Sequence, residues 1–211
     1  MKLIVISSSK TLENEAEIIT KLFESGLETF HLRKHKHSTY SMKQLIKKIP
    51  AAYHNRIIIH SHHGLARKFK LKGIHLTKSH LKDSVKTWVT IKILRFSNPD
   101  LEITTSFNNI GQLLEKSNPY KYSYVFLSPV FDSLSSKFQS GFTEHSLASA
   151  MRKTTYKVIA RGGVDMDAIA KGHKIGFQGL AFYTAIWKKK DPNAEFNKVI
   201  EKFKELNITV E

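Results

Sequence analysis

The chain of 211 residues contains no cysteine. That absence excludes disulfides, thiolate metal ligands and a thiol nucleophile, and it fits a reducing compartment. Long apolar runs are missing too. The start, MKLIVISSSK, offers only Leu3 to Ile6 before it turns polar, too short for a signal-peptide core or a membrane span, so a cytoplasmic protein with no membrane attachment is expected. Acidic residues are few: 18 Asp and Glu stand against 34 Lys and Arg, a formal net charge of +16 that favours anionic partners. The basic residues never run together beyond Lys188-Lys189-Lys190, and no nucleic-acid signature of aromatics on a strand pair occurs. Phosphorylated small molecules are therefore preferred to nucleic acid as partners. There is no linker, low-complexity tract or shift of composition either, so residues 1–211 are read as one domain, long enough to bury roughly 70% of its unfolded surface.

What is present centres on YKVIARGGVD, Tyr156 to Asp165. The apolar run Val158-Ile159-Ala160 gives way to Gly162-Gly163, the pattern of a buried strand ending in a turn bare of side chains. A second Gly-started run, Gly179 to Tyr183, ends at Thr184, so two neighbouring strand ends could present backbone and hydroxyl donors to one anion. A tight turn without a ligand is the plain alternative.

Around that stretch, short apolar runs alternate with helical patterns. Strands are expected at Leu3–Ser7, Thr29–Leu32, Ile57–Ile59, Gly73–Leu76, Leu101–Ser106, Tyr124–Leu127, Val158–Ala160 and Gly179–Tyr183. Helices are expected at Leu12–Ser25, Tyr40–Ile49, His63–Phe69, Asn109–Lys116, Ser146–Lys153, Met166–Lys171 and Asn193–Leu206. Between His80 and Pro99 the stretch Trp88–Phe96 fits strand or helix, and it is taken as a helix. Ser128 to Phe142 has the length and composition of a functional loop. About eight strands and eight helices at a spacing of roughly 26 residues is the arithmetic of a (β/α)8 TIM barrel, with a doubly wound sheet as the alternative. Reactive groups are then expected at the C-terminal strand ends.

Those ends read FHLRKHK, IIIHSH, GIHL, TTSF, YVFLSPVFDS, VIARGGV and GLAFYTAIW. The succession, above all GIHL, SPVFDS, GGV and TAIW each at its own strand, resembles the thiamine phosphate synthase and TenI family over nearly the whole chain. The resemblance implies a thiazole phosphate cradle at Gly162, Gly163, Tyr183 and Thr184. It also implies condensation of thiazole phosphate with hydroxymethylpyrimidine pyrophosphate, whose pyrimidine cation the thiazole nitrogen captures as pyrophosphate leaves. Where the synthase pattern is Gln-Leu-Arg-Glu-Lys, this chain has His31-Leu32-Arg33-Lys34-His35. Arg33 is retained as a pyrophosphate clamp, His31 takes the place of the glutamine, and Lys34, His35 or Lys36 stand near the missing lysine. Ser106 matches the family serine and Lys137 the loop lysine. The family Asn-Asp becomes His60-Ser61 and a second aspartate falls on Lys72, so Mg²⁺, which wants oxygen ligands, would be poorly held and no metal ligand is assigned.

The TenI branch instead moves a proton on the thiazole and needs no metal, but its histidine falls on Pro129. Nine of the eleven histidines lie between His31 and His80, and His31, His60 and His75 are expected to project towards one mouth, whereas His62, His63 and His80 are read as surface residues. Synthase, thiazole tautomerase and non-catalytic phosphate-ester binder all stay open, as does a homodimer.

Overall fold

The computed structural model describes residues 1–115, 118–131 and 142–211. Eight strands close into a barrel in sequence order: β1 (Lys2–Ile6), β2 (Thr29–Leu32), β3 (Ile57–Ile59), β4 (Gly73–Leu76), β5 (Glu102–Phe107), β6 (Tyr124–Leu127), β7 (Val158–Arg161) and β8 (Gly179–Phe182). Closure rules out the doubly wound sheet and bears out the (β/α)8 reading. By its contacts the chain falls into two compact units, Val5–Thr104 and Met1–Ile4 with Thr105–Glu211.

In the unit Val5–Thr104, β2 pairs with β3 through Phe30↔Ile57, His31↔Ile58 and Leu32↔Ile59, and β3 with β4 through Ile58↔Gly73 and Ile59↔Ile74, all parallel. Strands covered on both faces need apolar residues without alternation, and Ile57, Ile58 and Ile59 are completely buried. The helices are α1 (Glu15–Glu24), α2 (Thr39–Lys48), α3 (Gly64–Lys68), α4 (Lys78–Lys82) and α5 (Ser84–Ser97). In α1, Ala16, Ile19, Leu22 and Phe23 form the buried stripe that their spacing announced. Ser38 caps α2 by accepting from the Ser41 amide.

The stretch that fitted strand or helix is the helix α5. Its period is hard to see because both faces are apolar: Thr87, Ile91 and Leu94 turn inward, while Val85, Trp88, Val89, Ile93 and Phe96 are exposed.

In the unit Met1–Ile4 with Thr105–Glu211, β6 pairs with β7 and β7 with β8, the latter through Ile159↔Gly179, Ala160↔Leu180 and Arg161↔Ala181. Its helices are α6 (Ile110–Leu114), α7 (Glu144–Lys153), α8 (Asp167–Ile175), α9 (Thr184–Trp187) and α10 (Pro192–Glu205). Asp191 accepts from the amides of Asn193 and Ala194 and starts α10, whose Phe196, Val199 and Phe203 are buried. The eighth strand ends one residue earlier than its apolar run suggests, because that run continues into α9, which the sequence reading had not separated. No helix among the described residues is long and apolar enough to cross a membrane.

Candidate functional site

In the second unit the strand-end chemistry is built from backbone. Gly162 and Gly163 take φ of +88° and +68°, so both lie in the region where a side chain is strained. The register of β7 on β8 pairs Arg161, the residue before the glycines, with Ala181, two residues before Tyr183. Tyr183 carries α9: its carbonyl accepts from the amides of Ile186 and Trp187. The glycine turn is fixed from the other side by the β6 end, where the Ser128–Pro129 peptide is cis. The Val130 amide donates to the Arg161 carbonyl and the Phe131 amide to the Gly162 carbonyl. A Cβ on Gly162 would lie 3.0 Å from both Cα and Cβ of Pro129. Only glycine gives this turn both its dihedral and its clearance.

Arg161, overlooked in the sequence because the glycines after it drew the reading, also belongs here. It ends β7 half-buried, and its guanidinium donates to the Ser106 hydroxyl at 3.4 Å. Ser106 is thereby tied to the strand that precedes the glycine turn. Lys137, expected from the strand-six loop, lies outside the described residues.

The first unit builds from side chains. His31 lies in β2, His60 follows β3 and His75 lies in β4, and all three are buried. Nδ1 of His31 and Nε2 of His60 share a hydrogen bond of 2.9 Å, and the His60 and His75 rings stack at 4.1 Å between centroids. Nδ1 of His75 and Oγ1 of Thr104 share a hydrogen bond of 2.9 Å, and the same hydroxyl lies 3.4 Å from the Ile74 carbonyl. When that hydroxyl gives its proton to the Ile74 carbonyl, Nδ1 of His75 is the donor and its lone pair lies on Nε2. The expected convergence of the three histidines is therefore present.

The neighbours of Arg33 take varied positions. The backbone amide and carbonyl of Arg33 both bond the Ser7 hydroxyl, which pins this strand end. Lys34 turns inward, fully buried, 2.6 Å from Glu15 and 2.8 Å from the Lys10 carbonyl, so its charge is already committed. Burial pushes the Glu15 carboxyl above its ordinary range, and Lys34 offsets this only in part. His35 is exposed.

His63 differs from its surface reading. It is buried against the His80 ring at 4.4 Å, bonds the His75 carbonyl, and is lowered to about 4, first by burial and then by the His80 charge.

The positions suggested for Mg²⁺ do not come together. The β3–β4 register puts Lys72 level with Ile57, three residues short of His60, and its ammonium bonds the Glu28 carbonyl and the Thr29 hydroxyl. Ser61 offers one hydroxyl, buried and without a hydrogen-bond partner among the described residues. A nitrogen, a hydroxyl and a distant cation do not fit an ion that demands carboxylate and water oxygens.

Over residues 3–186 the chain matches the profile of thiamine monophosphate synthase, TMP-TENI. The thiamine-phosphate synthase of Clostridium botulinum (strain Eklund 17B / Type B) is 24% identical over 208 residues, 97% of this chain and 92% of that protein. The crystal structure of thiamine phosphate pyrophosphorylase from Bacteroides thetaiotaomicron is 27% identical with a TM-score of 0.75, covering 97% of this chain and 98% of that one. The thiamine phosphate pyrophosphorylase of Pyrococcus furiosus shares the fold at 18% identity and a TM-score of 0.75, with 97% of this chain and 96% of that one covered. With its motifs at the strand ends and a match across most of its length, the chain belongs to the thiamine monophosphate synthase (TMP-TENI) family of thiamine biosynthesis.

Proposed function

We propose that the protein is a transferase that binds thiazole phosphate and joins it to hydroxymethylpyrimidine pyrophosphate, releasing thiamine phosphate and pyrophosphate. The observation that carries this reading is the Gly162–Gly163 turn, packed on Pro129 at the end of β7, the strand paired with the one that leads to Tyr183 and Thr184. Backbone amides at such a turn favour a phosphate without needing a side chain, and the Thr184 hydroxyl adds a donor. Arg161 brings a positive charge to the same strand end and orients Ser106.

The chemistry asks for little covalent help from the protein. The C–O bond from the pyrimidine methylene to pyrophosphate breaks, pyrophosphate keeps the electron pair, and the thiazole nitrogen supplies the pair for the new C–N bond. What the chain must supply is stabilisation of the leaving anion and exclusion of water from the cation. Arg33, Lys137 and Ser106 are assigned to the anion, with exposed His35 close to Arg33 in the chain. Lys34 is left out because Glu15 already holds it.

The test mixes purified protein with both substrates, with and without Mg²⁺, and follows thiamine phosphate by chromatography, while calorimetry follows thiazole phosphate binding. Product in either condition supports the transferase. Binding without product under conditions where a known synthase turns over removes the transferase and leaves the phosphate-ester binder. The tautomerase draws its support from the hydrogen-bonded His31–His60 pair, a ready path for a proton. It requires that His31→Ala or His60→Ala abolish thiazole isomerisation while thiazole phosphate still binds.

A further inference from the structure

The donor set that is wrong for Mg²⁺ suits another class of ion. We propose that His31, His60 and His75 form a site for a borderline divalent transition metal, with Zn²⁺ as the type ion. This inference rests on the histidine geometry and is independent of the transferase reading.

One ring nitrogen from each of the three histidines lies within 4.8 Å of the others. Zn–N bonds of about 2.0–2.1 Å in a tetrahedral arrangement set nitrogens roughly 3.4 Å apart, so shifts on the order of 1 Å close the group. Three neutral imidazoles are a recognised zinc ligand type that leaves a fourth position for water or a substrate oxygen, and imidazole favours Zn, Co and Ni over Mg.

The surroundings already do part of what a metal site requires. Each ring is at most 5% exposed, so its orientation is set by packing. A ligating histidine needs its second nitrogen held, and Thr104 Oγ1, 2.9 Å from Nδ1 of His75, is placed to do this while Nε2 takes the metal. His31 and His60 present Nδ1 and Nε2 to one another at 2.9 Å across a shared proton. A metal replaces that proton, which moves to the far nitrogen of whichever ring donated it.

One rearrangement is needed. The His60 and His75 planes are within 21° of parallel, so their lone pairs run side by side. The rearrangement required is a turn of the His60 ring about its Cβ–Cγ bond, a torsion with a broad two-fold preference.

The experiment strips the full-length protein with chelator and titrates it with Co²⁺ and then Zn²⁺. It follows the visible d–d absorption of Co²⁺, bound metal by elemental analysis after dialysis, and the thermal midpoint. The expected result is one Co²⁺ per chain with the intense absorption of low coordination number, displacement by Zn²⁺, and a midpoint that rises with free Zn²⁺.

His31→Gln and His60→Asn, which restore the synthase pattern at each position, should each weaken metal binding at least tenfold. Thr104→Val should weaken it roughly 10–100-fold through loss of the orienting bond. His35→Ala and His37→Ala, on the accessible loop after β2, should leave binding unchanged. The proposal is overturned by any of three outcomes: Co²⁺ showing only the weak spectrum of the hexaaqua ion, binding surviving in both His31→Gln and His60→Asn, or binding lost in the loop variants. If one variant fails to fold, the other and Thr104→Val still decide.

Discussion

Replacing Gly162 by alanine tests the phosphate cradle at its most constrained point. The residue sits at φ +88°, and the added methyl carbon would meet the Cα and Cβ of Pro129 at 3.0 Å and the Ser128 hydroxyl at 3.4 Å. The left-handed backbone costs an L-residue about 1–2 kcal/mol, and crowding into packed surroundings about 1 kcal/mol or more. The crowding cannot be relieved by a side chain turning away, because Pro129 presents its backbone and is held by the Val130 and Phe131 amide bonds to the Arg161 and Gly162 carbonyls. The sum is about 3 kcal/mol, which for a chain of this size lowers the melting temperature by roughly 6–12 °C. If the turn shifts to make room, its amides leave their aim, and losing one charge-assisted hydrogen bond weakens thiazole phosphate binding by about 10–100-fold. Thermal unfolding by circular dichroism reads the first effect and calorimetry the second. Gly64→Ala is the control, since nothing lies within 4 Å of its Cβ position and it carries no positive φ. A Gly162→Ala protein that melts with wild type and binds thiazole phosphate equally would refute the cradle. One that is destabilised yet binds normally would reduce the glycine to a structural turn.

Two further outcomes concern stability. Lys34→Met leaves Glu15 buried without its ammonium partner and should cost about 3–5 kcal/mol by urea unfolding, whereas Lys34→Met with Glu15→Leu should recover most of that loss; a single variant as stable as the double one counts against the pairing. His63, lowered to about 4, must charge to unfold at low pH, so the unfolded chain binds more protons and its contribution is complete above the unfolded value near 6.5 and fades as pH falls towards 4. About 2 kcal/mol should be lost between pH 7 and pH 5, and His63→Gln should flatten that slope in urea titrations at the two pH values.

The barrel was legible because buried parallel strands need unbroken apolar runs, and the runs at Ile57 to Ile59 and Val158 to Ala160 admit few other readings. Where the reading failed, a partner distant in sequence decides. Lys34 looked like a ligand cation beside Arg33 until Glu15, 19 residues earlier, is seen to bury it. His63 looked superficial because nothing local says that His80 and the His75 carbonyl will cover it. Lys72 was set beside Ser61 by motif order, yet the β3–β4 register puts it at the opposite end of its strand from His75. Arg161 was in plain view, and a cation between a buried strand and a glycine turn is a signal that a phosphate reading should have used.

The two sets of strand-end groups differ in how sequence change can act on them. The glycine turn is a backbone feature, with positive φ at Gly162 and Gly163, so a phosphate reading of it depends only on small residues keeping their places. The histidine group works through side-chain atoms, where each replacement changes the donor element: a ring nitrogen stands at His31 where the synthase pattern has a glutamine, and another at His60 where it has an asparagine. Such exchanges leave strand burial intact, since His31, His60 and His75 pack as well as any core residue. They alter instead which ion those groups can hold, from one that demands oxygen to one that accepts imidazole. Divergence of this kind would keep the fold and the Gly162–Gly163 turn fixed while the ion chemistry changes. It follows that restoring His31→Gln and His60→Asn together should move the site away from Co²⁺ without altering thiazole phosphate affinity.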